Sequence, residues 1–205
     1  MFFGSNSRLH ADLIFAGPAY LLVGVVSLLL ILVWLRRADY SRSYLVLFSM
    51  FWLYLLLVLS VIIFPIAPLP ENYAFRLRTN FVPLDFGACY FRRICIANIL
   101  GNILLTVPFG FGVSFIARLK ARDFIGLSFL VGFGFEMLQL VIALLFRSSF
   151  RVIDINDFLL NGLGVWIGYL LFRTFGWIYV FLWDKFGLRP RSIFAYVYSV
   201  VRRAR

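Results

Sequence analysis

Nine polar side chains stand in or beside strongly apolar stretches of this chain: Asn98, Asn102, Glu136, Gln139, Arg147, Arg151, Asp154, Asp157 and Asn161. Amides hydrogen-bond sugars and peptides, arginines receive phosphate or carboxylate, and carboxylates can act as acid, base or cation ligand. Their spacing gathers them on helix faces. Asn98 and Asn102 are four apart, Glu136 and Gln139 three apart, and Asp154, Asp157 and Asn161 follow at three and then four, the intervals that place side chains on one side of a helix. Gly164 and Gly168 continue the Asn161 face, and small residues four apart allow helices to approach closely.

Each of these residues also has a plainer role open to it. Asp154 suits a helix N-cap, and Asp157 complements a helix dipole. Asn98 and Asn102 suit interhelical hydrogen bonding. Glu136, flanked by Gly132, Gly134 and apolar residues, suits a neutralised or Arg-paired buried acid. Arg147 and Arg151 can pair with Asp154 or Asp157, snorkel to headgroups, or receive an anionic ligand.

The known catalytic constellations lack material. His10 is the only histidine, which removes a histidine triad or zinc centre. No serine stands in a Gly-x-Ser-x-Gly setting, and no Walker or Rossmann glycine pattern occurs. An enzyme would have to work with Glu136 as general acid or base and Asp157 as its partner, or with the two holding a divalent ion beside Asn ligands. That is thin chemistry, so no cofactor or metal is expected and an enzyme ranks below a binding protein.

The elements that position these residues follow from composition. Of 205 residues, 63% are hydrophobic and only 14% charged, with a mean hydropathy of +0.95. Water-soluble domains are about half apolar, so lipid must be part of the solvent. The formal charge of +11 fits membrane orientation and anionic lipid better than nucleic acid, because no basic soluble module accompanies it. Apolar runs at about 17–35, 44–64, 94–117, 124–146 and 155–172 each fit the roughly 17–25 residues of a spanning helix.

The expected fold is therefore an all-α polytopic transmembrane bundle of five spans. Its divisions are an N-terminal pair of helices (1–64), a core with an outer loop and three helices (65–172), and a basic, aromatic tail (173–205). Within the tail, "TFGWIYVFLWDKF" and "IFAYVYSVV" read as two cytoplasmic interfacial helices; a sixth span is the alternative. The first apolar run is long enough to span, and no cleavable signal peptide is evident.

Orientation follows from charge. The connections at 36–42 and 118–123 and the tail hold most of the 20 lysines and arginines. The positive-inside rule then sets the N-terminus outside and the C-terminus in the cytoplasm. The outer loop, about 65–93, is Pro-rich and aromatic, hence stiff and suited to the lipid interface. At about 1.5 Å per residue, Asn98 lies roughly 6 Å, Asn102 roughly 12 Å, Gln139 about 10 Å and Glu136 about 15 Å from the outer surface; Asp157 lies within about 5 Å of it and Asn161 about 10 Å down. Three helices thus bring polar faces into the same outer half. Cys89 and Cys95 match no common metal spacing. Cys95 reads as a small apolar helix residue, with a disulfide as the alternative.

In order and spacing, "NFVPLDF" (80–86), "NILGNILLTVPFG" (98–110), "EMLQ" (136–139) and "RSSFRVIDINDFLLNGLGVWIG" (147–168) resemble the VanZ-like family of small bacterial membrane proteins. The resemblance covers roughly 65–172. It implies a multi-pass helical protein of the bacterial cytoplasmic membrane and, for some members, low-level resistance to the glycopeptide teicoplanin; it supplies no reaction. Three expectations stand together: a protein that binds an envelope lipid or glycopeptide through the nine polar residues, an intramembrane hydrolase or transferase on such a lipid, and a flippase or transporter. Five spans without an inverted repeat give the last little machinery.

Overall fold

The computed structural model describes residues 4–64, 66, 74–86, 92–147, 152–187 and 190–204, with side chains from 19 onward and excluding those of 92–94. Six helices form: α1 (Gly4–Arg37), α2 (Arg42–Ile63), α3 (Arg92–Ile116), α4 (Asp123–Leu145), α5 (Ile155–Lys185) and α6 (Ser192–Arg203). Five of them, α1 to α5, are long and apolar enough to cross a membrane. Their outward faces carry Leu22, Leu30, Trp34, Leu130 and Leu170 exposed, as expected where lipid is the solvent.

α1 and α2 form an antiparallel hairpin. Trp52 donates its indole N–H to the Gly24 carbonyl at 3.0 Å, and the Tyr20 hydroxyl donates to the Leu56 carbonyl at 3.1 Å. α2 then packs on α3 through Phe51 and Phe109, whose rings lie 5.6 Å apart. Pro108 sits inside α3 and cannot bond the carbonyl one turn back. The Tyr54 hydroxyl from α2 donates to the adjacent Leu105 carbonyl at 2.5 Å.

α3 and α5 run parallel in close contact, and α4 runs antiparallel to both. Gly164 and Gly168 of α5 make that contact. A Cβ at Gly164 would overlap Thr106 and the Ile103 carbonyl, and one at Gly168 would overlap the Val107 carbonyl and the backbone of Gly110 and Phe111. Gly110 answers from α3, where a Cβ would meet the Val165 carbonyl. Thr106, fully buried, donates its hydroxyl across the seam to the Asn161 carbonyl at 2.8 Å. Phe124, Trp166 and Tyr169 close the α4–α5 side.

Two features depart from the sequence expectations. The first is the tail. "TFGWIYVFLWDKF" is no separate interfacial helix, because α5 runs unbroken from Ile155 to Lys185. Nothing at Phe172 stops it. The first stop is Gly187, in the left-handed region at φ 61, a common helix terminator, with Pro190 beyond. Thirty-one residues span about 46 Å at 1.5 Å each, against about 30 Å of hydrocarbon, so α5 projects from the bundle. α6 folds back on the projection. Val201 packs on Gly176, the Tyr196 hydroxyl donates to the Phe115 carbonyl at 2.8 Å, and Arg173 donates to the Ala204 carbonyl.

The second departure is a two-stranded parallel sheet, β1 (Arg78–Asn80) with β2 (Val152–Asp154). Three residues per strand are too few for a period to show in the sequence.

Candidate functional site: a polar cavity at the head of α5

α5 begins well below the helices beside it. Asn102 donates to the Asp157 carboxylate at 2.5 Å, yet ten residues of α3 precede Asn102 and only two of α5 precede Asp157. On the other flank, the Asp154 N–H donates to Glu136 Oε2 at 3.0 Å, and nine residues of α4 follow Glu136. At 1.5 Å per residue the start of α5 lies roughly 10–15 Å below the ends of α3 and α4. Asp157 therefore lies level with Asn102, deeper than the sequence count sets it: the apolar run at 155 starts below the ends of the neighbouring helices, so counting from its first residue underestimates depth.

The sheet and the loop after β1 fill the resulting notch. Irregular backbone at that depth persists only when its polar groups are satisfied or face a watered cavity. Asn156, buried, satisfies them. Its Oδ1 accepts from the Leu84 N–H at 2.6 Å, and its Nδ2 donates to the Asp85 carbonyl at 2.9 Å and the Val82 carbonyl at 3.3 Å. Asn80 completes the loop, donating to the Asp85 carbonyl at 2.8 Å and accepting from the Val82 N–H at 3.2 Å. Replacing Asn156 with Ala strips the Leu84 N–H of its partner and takes one bond each from the Val82 and Asp85 carbonyls, an expected loss of about 1–3 kcal/mol. Faster amide exchange at Leu84 in the variant would show it; unchanged exchange would mean that Asn156 is not the anchor.

Asp154 is the N-cap of α5, accepting from the Asn156 N–H at 2.8 Å. Its carboxylate does more than cap. Both oxygens accept from Asn80 Nδ2 at 3.2 Å, and Oδ1 also accepts from Asn156 Nδ2 at 2.9 Å. It ties β1, β2 and α5 into one knot.

A cavity of about 510 Å³ opens above this knot, lined by Arg78, Asn80, Asp85, Phe86, Asn98, Asn102, Gln139, Val152, Asp154 and Asp157. Five of the nine expected site residues line it: Asn98, Asn102, Gln139, Asp154 and Asp157. Glu136 and Asn161 lie buried outside its lining, at 5% and 3% exposure. Among the described residues, Glu136 Oε1 and Asn161 Oδ1 have no hydrogen-bond partner and no ion pair reaches Glu136. Arg147 is exposed and outside the lining; Arg151 lies outside the described residues.

The sequence reasoning assigned no site role to Arg78, Asn80, Asp85, Phe86 or Asn156. The "NFVPLDF" element carried three of them, and its fold into the notch gives them their place. Among the described residues no group of three or more His, Cys, Asp or Glu is arranged to hold a metal ion. Cys95, near the start of α3, is disulfide-bonded rather than a free apolar thiol; Cys89 lies outside the described residues.

Parallel α3 and α5 joined at glycines, α4 antiparallel across them, and a loop entering between their ends define a multi-pass membrane protein with a polar cavity at one end. Residues 51–195 match the VanZ/LLP1 family model, and the chain belongs to that family. The match extends beyond 65–172 on both sides, taking in half of α2 and the start of α6. No curated protein and no solved structure matches the chain.

Proposed function

We propose that this protein binds a cell-envelope lipid or glycopeptide in the cavity at the head of α5, on the outer side of the bacterial cytoplasmic membrane, and so contributes to envelope homeostasis or to teicoplanin-type resistance. The observation that carries the reading is the lining itself: amides of Asn80, Asn98, Asn102 and Gln139 interleaved with carboxylates and one arginine. Sugars and peptides both donate and accept, and such a wall offers both. The outer assignment rests on charge. The N-terminus of α1 and the cavity share one end, while the Arg- and Lys-bearing turns and α6 share the other, which the positive-inside rule assigns to the cytoplasm.

The acid–base reading ranks lower on geometry. Glu136 bonds the Asp154 backbone and is absent from the cavity lining, so a bound substrate would meet Asp157 before it met Glu136. Binding of lipid-linked cell-wall precursor or teicoplanin to the purified protein in nanodiscs tests the proposal. The wild type should bind one of them, and Asn102→Ala with Asp157→Asn should weaken that binding about tenfold or more. Absence of binding to both removes the reading. Reporter fusions at Arg122 and after Arg191 should read cytoplasmic; an external reading reverses the orientation.

A further inference from the structure

We infer that the cavity takes a glycolipid that enters sideways from the bilayer, with its saccharide headgroup among the amides and its acyl chain over an apolar lip formed by the loop after β1; this rests on the cavity being a binding site. Three observations lead there. The loop is bonded to the start of α5, roughly 10–15 Å below the ends of α3 and α4 and so level with their apolar spans, Cys95–Ile116 and Asp123–Leu145. Its apolar side chains face away from the protein: Phe81 is 67% exposed, Val82 58% and Leu84 77%. Along β1 the polar residues Arg78 and Asn80 line the cavity, while Leu77 and Phe81 fall on the alternate face. One segment thus presents a polar wall and an apolar one, back to back.

Leu84 sharpens the point. Its φ is 64, in the left-handed region where a Cβ costs about 1–2 kcal/mol and glycine costs nothing. The strain is held by the Leu84 N–H bonded to Asn156, yet the side chain gains little contact within the protein. Its apolar surface has a favourable place only in lipid. A water-soluble ligand would use the cavity and leave the lip idle; an amphiphile uses both.

The headgroup class comes from the lining. Sugar hydroxyls donate and accept at once, which suits carboxylates beside amides. Phe86, at the cavity wall and partly exposed, offers an aromatic face for the apolar face of a sugar ring.

The test uses the full-length protein in nanodiscs with a diacyl glycoside carrying a photoreactive group on its acyl chain. The same sugar without a chain and phosphatidylglycerol serve as comparisons. Crosslinks should map to 77–86, the chain-free sugar should bind at least tenfold more weakly, and phosphatidylglycerol should not displace the probe. Phe81→Ser with Leu84→Ser should weaken the glycolipid about tenfold while leaving binding of the chain-free sugar unchanged. Crosslinks elsewhere, or full affinity in the lip variant, overturn the inference. If the lip variant binds normally while the Asn102→Ala, Asp157→Asn variant does not, the cavity reading stands and only the lip falls. If both bind normally, both fall.

Discussion

Gly168→Leu should prevent the bundle from assembling. The glycine lies in a seam where a single added Cβ already meets the Val107 carbonyl, the Phe111 amide and the Gly110 Cα. These are backbone atoms of α3 and cannot turn aside as a side chain can. A leucine must therefore push α3 and α5 apart, which breaks the Thr106 bond to Asn161 and loosens Asn102 from Asp157. Overpacking in a close-fitted interior costs about 1–3 kcal/mol, and the lost bonds add about 1 kcal/mol each. Membrane helices associate largely through such packing, with no hydrophobic force to hold a spoiled seam. Gly164→Leu should behave alike, since it meets Thr106 and the Ile103 carbonyl. Gly101→Leu and Gly134→Leu are the controls, because a Cβ at either meets nothing within 4 Å. Monodisperse yield and melting temperature in detergent should collapse for the first pair and hold for the second. Equal behaviour of all four would show that α3 and α5 do not pack through these glycines.

That contrast shows what the sequence could disclose. Gly164 and Gly168, four apart beneath a polar face, identify a close helix contact without any coordinates, because only spacing and side-chain size enter the argument. Five spans were legible for a similar reason: hydropathy over some twenty residues is a strong signal, and lipid leaves the backbone few alternatives. Three of the polar faces converge because an intramembrane polar group exposed to lipid is costly. The vertical offset of α5 was not legible. Hydropathy reports where an apolar run begins, and cannot show that β1, β2 and Asn156 let a helix begin below the surface. The Asn80 bond to Asp154 and the Asn156 bonds to the loop join residues more than seventy positions apart, and no local pattern announces such a pair. The long α5 was partly readable. Gly187 and Pro190 mark its stop, but a span of ordinary length already ends at Phe172, so the apolar surplus reads as a second helix.

Asp157→Asn and Glu136→Gln should leave the protein folded and remove its binding. Asp157 lines the cavity and accepts from Asn102 through Oδ1; an asparagine can keep that bond while removing the charge. A hydrogen bond between a ligand hydroxyl and a carboxylate is worth about 1.5–3 kcal/mol, so its loss predicts roughly a ten- to hundredfold weaker Kd. Glu136 acts one step back. Its Oε2 holds the Asp154 N–H at the junction of β2 and α5, and its buried Oε1 has no partner among the described residues. Glutamine can keep the first bond, but its amide adds two buried donors where none was needed, which shifts Asp154 and with it the floor of the cavity. Were Glu136 a buried acid with no part in the site, the glutamine variant would bind and resist as the wild type does. Asp154→Asn discriminates further. A cap alone tolerates asparagine, yet here the second oxygen faces Asn80 Nδ2 at 3.2 Å, and an amide there sets two donors against each other. Its expected cost is about 1 kcal/mol of stability, larger than a cap exchange and smaller than the loss of Asn156. The measurements are ligand affinity in nanodiscs, yield, and melting temperature for the three single variants and for Glu136→Gln combined with Asp157→Asn. Wild-type affinity in the double variant would sink the site, because no cavity that uses these carboxylates could lose both charges and bind unchanged.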